Sequence, residues 1–280
     1  MEVLKRVFKK ARSRKIPICI FCYHKSGTAL LSKVFNQFCQ SRDWKFLSLM
    51  GKQTQIPQNA DVILFGHSLI DLKDIAESFV GLHVIRDPRD VIVSGYQYHC
   101  RTSEKWCINS DLTPEPPILF PKVPYSQQHR SEEWKLEYLK SLNGKSYQEN
   151  LLSLSQQDGL LFEMNNYGAW TIESMKDWNY NLDHILELKY EQLMNNYDDV
   201  FHSIFDHFGL SKSEIDAGMK IASKHDLRRK SVKELEKMSH VSSSKTSRWK
   251  EYFEPVHKET FIKNFGNLLL ELGYEKDNNW

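Results

Sequence analysis

The chain has 280 residues, with 38 lysines and arginines against 36 aspartates and glutamates, and a formal net charge of +2. This length suits one large α/β domain with a full core, and the balance of charge argues against general nucleic-acid binding, which needs a strong basic excess. No stretch approaches the roughly 18 apolar residues of a membrane span, and the basic residues 1–15 lack the apolar core of a signal peptide. Five cysteines, an odd number, indicate a reducing compartment, so we expect a cytoplasmic protein.

The first predicted strand, Ile16 to Tyr23, leads into a loop of the phosphate-binding type. Residues 23–31 read YHKSGTALL and continue into helical spacing up to about Gln40. A tight loop between a strand and a helix presents backbone N–H groups to an anion, and its glycine permits close approach. The lysine precedes the glycine, whereas a Walker loop places it after the last glycine. The loop is therefore predicted to bind phosphate-like groups without being a nucleoside triphosphatase loop.

The next part of the chain alternates strands with one short helix. The predicted elements are strands at 44–49, 61–66 and 80–85 and a helix at 69–77. This alternation predicts a single α/β domain over residues 1–280, with a mostly parallel sheet flanked by helices. His67 follows the second of these strands, so it should lie at the carboxyl edge of the sheet beside Lys25. Taken alone, a histidine there also fits a strand cap that bonds a backbone carbonyl.

A second polar element follows the strand at 80–85. Residues 86–94 read RDPRDVIVS, with Pro88 in the first turn of a helix predicted to end at His99. Arg86 ends the strand, and Ser94 lies about two helical turns later, so both belong to the rim that carries Lys25. One element could hold a 5′ phosphate group and the other a 3′ phosphate.

Other charged groups near this helix have structural interpretations. Asp87 and Asp90 are predicted to cap the helix and to pair with Arg89. His83 and His99 are predicted to be structural.

From Cys100 to Gln128 the regular pattern stops. Five prolines punctuate this loop, which is too long for a simple connector and is therefore predicted to be functional or disordered. Helices are expected from Glu132 to about Trp178, a strand at 185–189, and helices thereafter except for a loop at 239–247. The aromatic side chains near the long loop could line an acceptor site or simply pack against the helices: Tyr96, Tyr98, Trp106, Tyr125 and Trp134. The acidic side chains there would suit a cationic acceptor, but a solvated surface explains them equally well: Glu104, Asp111, Glu115, Glu132 and Glu133.

In these motifs the chain resembles the soluble, cytosolic type of sulfotransferase that uses 3′-phosphoadenosine 5′-phosphosulfate (PAPS). Four matches occur in the family's order: the 5′-phosphosulfate loop at Lys25-Ser26-Gly27-Thr28, the 3′-phosphate motif at Arg86 and Ser94, the adenine segment at residues 188–193 with Tyr190 as its tyrosine, and Arg248-Trp249-Lys250 followed by Leu272-Gly273-Tyr274. Together they span nearly the whole chain.

The resemblance implies a P-loop-like α/β sulfotransferase fold and a reaction. A sulfuryl group would pass from PAPS to a hydroxyl or amine of a small-molecule acceptor, leaving adenosine 3′,5′-bisphosphate (PAP), without a metal. His67 corresponds to the family's general base, with a pKa near 6.5, and Lys25 stabilises the leaving bisphosphate. The implied cofactor-binding residues are Lys25, Ser26, Gly27, Thr28, Ala29, Leu30, Arg86, Ser94, Tyr190, Ser243, Ser244 and Lys245.

The chain departs from the family pattern at several positions. His24 replaces a proline, and Leu30 replaces an aromatic residue of the adenine pocket. Ser242 to Ser244 replace an Arg-Lys-Gly sequence in the late cofactor loop, predicted at 239–248, although serine hydroxyls and Lys245 can still contact phosphate. The dimer-contact segment is only partly present, which leaves a homodimer open. Residues 100–165 are predicted to form the acceptor side or a lid.

Two other functions remain open at this point. A kinase-like phosphotransferase would need a Walker lysine and a magnesium-binding carboxylate, and the first is absent from the sequence. A nucleotide-binding module without catalysis is favoured by the altered 242–245 segment and disfavoured by Lys25 and His67. Among sulfotransferase roles, we expect tailoring of secondary metabolites, without nucleic-acid partners or integral membrane association.

Overall fold

The structure, a computed structural model, describes residues 16–73, 75, 78–230 and 246–280. Five parallel strands form one sheet in the order β2-β3-β1-β4-β5. The strands are β1 (Ile18–Cys22), β2 (Phe46–Leu49), β3 (Val62–Phe65), β4 (Val80–Ile85) and β5 (Ile185–Lys189). The described helices are α1 (Thr28–Arg42), α2 (Pro88–His99), α3 (Glu132–Ser141), α4 (Tyr147–Ser153), α5 (Gln156–Asn165), α6 (Tyr167–Lys176), α7 (Tyr190–Asn195), α8 (Tyr197–His207), α9 (Lys212–His225), α10 (Trp249–Tyr252), α11 (Pro255–Phe265) and α12 (Leu268–Glu271).

The central strands are apolar along their whole length. Every residue of β1 and of β3 is buried. Such continuous apolar runs are typical of parallel strands that are covered on both faces of the sheet. The register pairs Phe21 with Phe65 and Cys22 with Val84, so the three central strands end at the same edge. The loops that follow β1, β3 and β4 consequently meet there.

Apolar side chains pack on both faces of this sheet. Ile18 and Ile20 of β1 share a hydrophobic cluster with residues of α1 and α8, including Phe35. Phe21, which alternation along the strand directs to the opposite face, lies in a different cluster with Trp178. The α/β prediction with a mostly parallel sheet is therefore confirmed.

One predicted element is wrong. The described residues between 69 and 79 contain no helix, and Ile70 instead forms an isolated parallel bridge with Gln53. Side chains here bond to the backbone: the Ser68 hydroxyl donates to the Cys22 carbonyl, and the Asp71 carboxylate accepts from the Lys73 N–H. The bond between Asp71 and Lys73 is local, and local bonds of this kind compete with helix formation.

The long loop predicted from Cys100 to Gln128 is irregular except for a 3₁₀ turn at Tyr125–Gln127. All five cysteines of the chain lie in described positions and are free thiols. No helix among the described residues has the length and apolar character needed to cross a bilayer.

Candidate functional site

A cavity of about 470 Å³ opens over the carboxyl edge of the sheet. Its walls come from the loops after β1, β2, β3 and β4, from α1, α2 and α7, and from the irregular segment after α2. The structure brings most of the sequence-predicted site residues into its lining, namely Lys25, Gly27, Thr28, Ala29, Leu30, His67, Arg86, Ser94 and Tyr190. Ser243, Ser244 and Lys245 lie outside the described residues.

The loop between β1 and α1 is closed by its own hydroxyl groups. The Ser26 hydroxyl accepts from the Tyr23 N–H at 2.7 Å and donates to the Tyr23 carbonyl at 3.0 Å. The Thr28 hydroxyl donates to the same carbonyl at 2.8 Å. Ser26 is fully buried and does not line the cavity. The sequence assigned both hydroxyls to a phosphate, but in this structure they hold the loop.

Helix α1 begins at the cavity without a side-chain cap. Its N-cap, Gly27, adopts φ 103°, and no side chain bonds to the first-turn N–H groups. These groups have no intrahelical partner, and the residues that carry them, Thr28 to Leu30, line the cavity. The arrangement is suited to an anion.

Lys25 places a half-buried amino group in this cavity. Its ammonium lies 4.1 Å from the centroid of the Tyr98 ring. Burial, together with the nearby charges of Arg86 and Arg101, lowers the pKa of Lys25 to about 7, although Glu104 acts in the opposite direction. A neutral amine and an ammonium are therefore both accessible to Lys25 near pH 7.

Arg86 joins the two phosphate-type elements. Its Nη1 donates to the Lys25 carbonyl at 3.0 Å, and its guanidinium lies 4.8 Å from the centroid of the Tyr190 ring. Its Nη2 lies 3.5 Å from the Asp90 carboxylate. Arg86 is 7 % exposed, and its Nε has no hydrogen-bond partner among the described residues. The arginine is thus held at the rim with a donor unused.

The predicted partner of Asp90 is wrong. Asp90 pairs with Arg86, one helical turn before it, whereas Arg89 pairs with Asp87 at 2.7 Å and Glu275 at 2.6 Å. Arg86 lies just before the cap of α2, and the first turn of the helix brings Asp90 within 3.5 Å of it. The predicted cap is present at Asp87, whose carboxylate accepts from the Arg89 N–H.

Asp90 also holds the segment that begins α10 near the carboxyl edge of the sheet. Its carboxylate accepts from the Ser247 N–H at 2.8 Å and from the Trp249 N–H at 3.0 Å. Residue 246, where the described chain resumes, consequently lies near the helix that carries Ser94.

His67 lies in the same cavity, with its Nδ1 accepting from the Gly51 N–H at 2.9 Å. Burial lowers the pKa of His67 to about 4, so the expected value near 6.5 is wrong, and the ring is neutral at pH 7. Sequence reasoning missed Gly51. The sequence could have indicated Gly51, because it follows a predicted strand and residues that follow parallel strands lie together at the carboxyl edge of the sheet.

The last turn of α2 and the irregular segment after it supply an aromatic and acidic wall. Tyr98, Trp106 and Tyr125 line the cavity, whereas Tyr96 and Trp134 do not. Glu104 is the one member of the predicted acidic set in the lining. Its carboxylate accepts from the Tyr98 hydroxyl at 2.7 Å and from the Trp106 Nε1–H at 2.6 Å.

The remaining histidines have defined surroundings. His24 lines the cavity and stacks on the buried His99, with ring centroids 4.9 Å apart. His99 Nδ1 lies 2.9 Å from the buried Glu163 carboxylate. His83 is fully buried between the Tyr23 hydroxyl and Glu187. His83 and His99 are thus built into the packing, whereas His24 reaches the site.

Comparisons with known proteins bear on this cavity. The profile of the family described as "Sulfotransferase domain" matches residues 81–273, which includes Arg86, Ser94 and Tyr190 but neither Lys25 nor His67. The chain is similar to the solved mouse sulfotransferase SULT7A1 complexed with PAP, at 15% identity and TM-score 0.46, over 94% of this chain and 87% of that one. It is also similar to a retinol dehydratase in complex with androsterone and inactive cofactor PAP, at 12% identity and TM-score 0.43, over 94% and 82%.

A comparison with curated proteins gives no match. The profile match covers more than half of the chain, from β4 to the end of α12. The chain therefore belongs to the sulfotransferase family.

Proposed function

We propose that this protein transfers a sulfuryl group from PAPS to a hydroxyl or amine of a small-molecule acceptor. One observation carries the proposal. The uncapped start of α1 with Lys25 and the pair Arg86 and Ser94 line the same cavity as His67. Two anion-binding elements at one rim suit a donor with phosphates at both the 5′ and the 3′ position.

The residues present fit such a donor. The first-turn N–H groups of α1 are available for the 5′ phosphosulfate, and Gly27 lets the backbone approach it. Arg86 is buried with an unused Nε–H, which suits a charged oxygen of the 3′ phosphate. Tyr190 offers an aromatic ring beside Arg86 for the adenine. Ser243, Ser244 and Lys245 remain predicted contacts.

Positioning and charge stabilisation dominate this type of group transfer. By analogy with phosphoryl transfer, the transition state is loose and in line, so little covalent chemistry falls to the protein. PAPS supplies the sulfuryl group and a bisphosphate leaving group. Lys25 neutralises the charge that develops on the bridging oxygen, and burial strengthens that interaction.

Two residues of the cavity are candidates for receiving the acceptor's proton. The sequence nominates His67 as the general base. The structure adds Glu104, whose carboxylate faces the same cavity and carries lone pairs for a further hydrogen bond.

The setting of this activity is part of the proposal. Five free thiols are consistent with a reducing, cytoplasmic location. The aromatic wall formed by Tyr98, Trp106 and Tyr125 suits a small organic acceptor. A role in tailoring secondary metabolites and assembly as a homodimer remain predictions from the sequence.

Calorimetric titration with PAP tests the proposed donor, with ADP and magnesium-ATP as competing ligands. We expect micromolar binding of PAP and no comparable binding of ADP or magnesium-ATP. The affinity for PAP should fall at least about tenfold in Arg86→Ala, because one desolvated charge-assisted contact disappears. Arg130→Ala is the matched control, since Arg130 pairs with Glu173 and does not line the cavity.

The alternatives predict different titrations. Preference for magnesium-ATP would favour a kinase-like phosphotransferase and contradict the proposal. Tight PAP binding without any PAP formation from PAPS, with acceptors or with water, would favour a binding module. Equal losses of PAP affinity in Arg86→Ala and Arg130→Ala would show that Arg86 does not bind the 3′ phosphate.

A further inference from the structure

Glu104 is the one carboxylate among the described lining residues of the cavity. The lysines and arginines of the lining are Lys25, Arg86 and Lys105. In the proposed function Lys25 and Arg86 bind phosphates of the donor, and Lys105 is exposed, so water screens its charge. Glu104 takes part in no ion pair among the described residues. Its negative charge is therefore available to the acceptor.

Two buried side chains hold the Glu104 carboxylate in the cavity wall. One oxygen accepts from the Tyr98 hydroxyl at 2.7 Å and the other from the Trp106 Nε1–H at 2.6 Å. Tyr98 is 4 % exposed and Trp106 is 5 % exposed, so packing fixes both donors. An ionised carboxylate only accepts hydrogen bonds, and each of its oxygens has two lone-pair sites. One site on each oxygen of this exposed residue remains for a donor that enters the cavity.

Aromatic rings share the cavity with this carboxylate. Besides Tyr98 and Trp106, the lining contains Phe120, Tyr125 and Tyr167. The rings of Phe120 and Tyr125 stack with their centroids 4.2 Å apart, and those of Trp106 and Tyr167 stack at 5.0 Å. Aromatic faces attract a cation that has left water, and the carboxylate adds a full opposite charge. Rings together with one anchored carboxylate suit an organic ammonium ion.

Glu104 also lies near the groups that are proposed to react. Its charge acts to raise the pKa of both Lys25 and His67, in opposition to burial. Such an electrostatic effect weakens with distance, so it indicates that the carboxylate is close to both side chains. An acceptor that brings one group to His67 and a cation to Glu104 is consequently a small molecule with a short spacer.

The cation and the reacting group must be different parts of the acceptor. An ammonium nitrogen has no lone pair with which to attack sulfur, and a neighbouring carboxylate favours the protonated form of an amine. An amine bound at Glu104 therefore stays unreactive, and the sulfuryl group goes to a hydroxyl. With Glu104 engaged by the cation, His67 is left to receive the proton of that hydroxyl.

We propose that the acceptor is a hydroxylated organic ammonium ion, whose cation is bound by Glu104 and the rings of Trp106 and Tyr125 while its hydroxyl attacks the sulfuryl group. This assignment rests on the proposed function and names its acceptor class and the group that is sulfated. The hydroxyl loses its proton to His67 as its oxygen forms the bond to sulfur. The bond from sulfur to the bridging oxygen breaks, and its electron pair leaves with the bisphosphate beside Lys25.

Phenols that differ in charge test the recognition of a cation. Tyramine carries an ammonium at pH 7, para-ethylphenol has the same ring and chain without it, and para-hydroxyphenylpropionate carries a carboxylate. Calorimetric titration of each into the PAP complex measures binding without turnover, and PAP formation from PAPS gives kcat/KM. We expect wild type to favour tyramine over para-ethylphenol by at least about tenfold, because one charge-assisted contact contributes about that factor. Added salt should reduce this preference.

Two substitutions change the charge at Glu104. Glu104→Gln should bring the ratio of affinities for tyramine and para-ethylphenol close to one, and Glu104→Lys should reverse the order in favour of the propionate. Each ratio is measured within one protein, so a general loss of stability cancels from it. Glu115→Gln changes an exposed residue of the same segment that does not line the cavity, and as the matched control it should keep the wild-type ratio.

Equal binding of tyramine and para-ethylphenol by the wild type would overturn the assignment. A preference that persists unchanged in Glu104→Gln would assign the cation to another group. Equal losses of turnover with both phenols in Glu104→Gln, at wild-type PAP affinity, would also contradict a role in cation recognition. Absence of PAP binding in the wild type would contradict the proposed function itself, whereas PAP binding without a preference among the phenols would contradict the acceptor class alone.

Discussion

At the scale of single residues, the charge state of Lys25 is the feature most sensitive to conditions. Its pKa is lowered to about 7, first by burial and then by Arg86 and Arg101. A bound bisphosphate favours the ammonium over the neutral amine, because opposite charge stabilises the charged form. Binding of the cofactor and protonation of Lys25 should therefore be coupled.

We predict that PAP affinity falls as the pH rises above about 7. Below that pH, Lys25 is already protonated in the free protein, whereas above it the binding must take up a proton. The loss should approach tenfold per pH unit for one coupled proton. Calorimetry in buffers of different ionisation enthalpy at pH 8 measures both the affinity and the proton uptake.

Lys25→Arg is the control for this coupling, since a guanidinium stays charged throughout the range. Its PAP affinity should be flatter than that of wild type between pH 7 and 9, with less proton uptake. The same pH dependence in both proteins would assign the titration to another group.

At the scale of elements, the loop between β1 and α1 depends on a backbone that only glycine adopts without strain. Gly27 has φ 103°, and a Cβ there would lie 3.1 Å from Cδ2 of Tyr190. The loop, the start of α1 and the proposed adenine contact are thus coupled through one residue.

We predict that Gly27→Ala reduces the free energy of PAP binding by more than it reduces the free energy of unfolding. A left-handed backbone costs alanine about 1–2 kcal/mol, and displacement of Tyr190 adds a local change at the site. Gly144→Ala supplies the comparison, because Gly144 has φ 74° with nothing within 4 Å of an added Cβ. Denaturant unfolding and PAP titration of both variants measure the two effects. Equal losses of PAP affinity would contradict the contact with Tyr190.

At the scale of the whole molecule, neutral histidines are part of the folded state. Burial lowers the pKa of both His67 and His83, although Glu187 partly opposes this shift at His83. The unfolded chain would protonate each near the ordinary value of about 6.5. Their contribution to stability is therefore complete above pH 6.5 and decreases as the pH falls.

We predict that the free energy of unfolding decreases between pH 6.5 and pH 4 in wild type more than in His67→Gln. With a pKa of about 4 in the folded state, His67 accounts for up to about 3 kcal/mol of that decrease. Urea unfolding at several pH values measures the difference between the two proteins. Parallel pH profiles would show that His67 is protonated equally in both states.

Local patterns in the sequence were enough to predict most strands of the sheet and the residues that lie at its carboxyl edge. Apolar runs predicted the strands that became β1, β3, β4 and β5, and the rule that carboxyl strand ends share an edge placed Lys25, His67 and Arg86 together. The described residues of 69–77 do not form the expected helix, because the Asp71 carboxylate accepts from the Lys73 N–H and Ile70 forms a bridge with Gln53. Periodicity alone does not report such bonds.

By itself, the sequence determined the family, the parallel α/β fold and the cation and hydroxyl groups of the loop at Lys25, because motif order and hydrophobic pattern are properties of neighbouring residues. Only the tertiary structure decided how those groups are used. The Ser26 hydroxyl closes the loop, Asp90 pairs with Arg86, and the Gly51 N–H donates to Nδ1 of His67. Each of these outcomes depends on a hydrogen-bond partner or on burial, and these are fixed only when distant segments pack together.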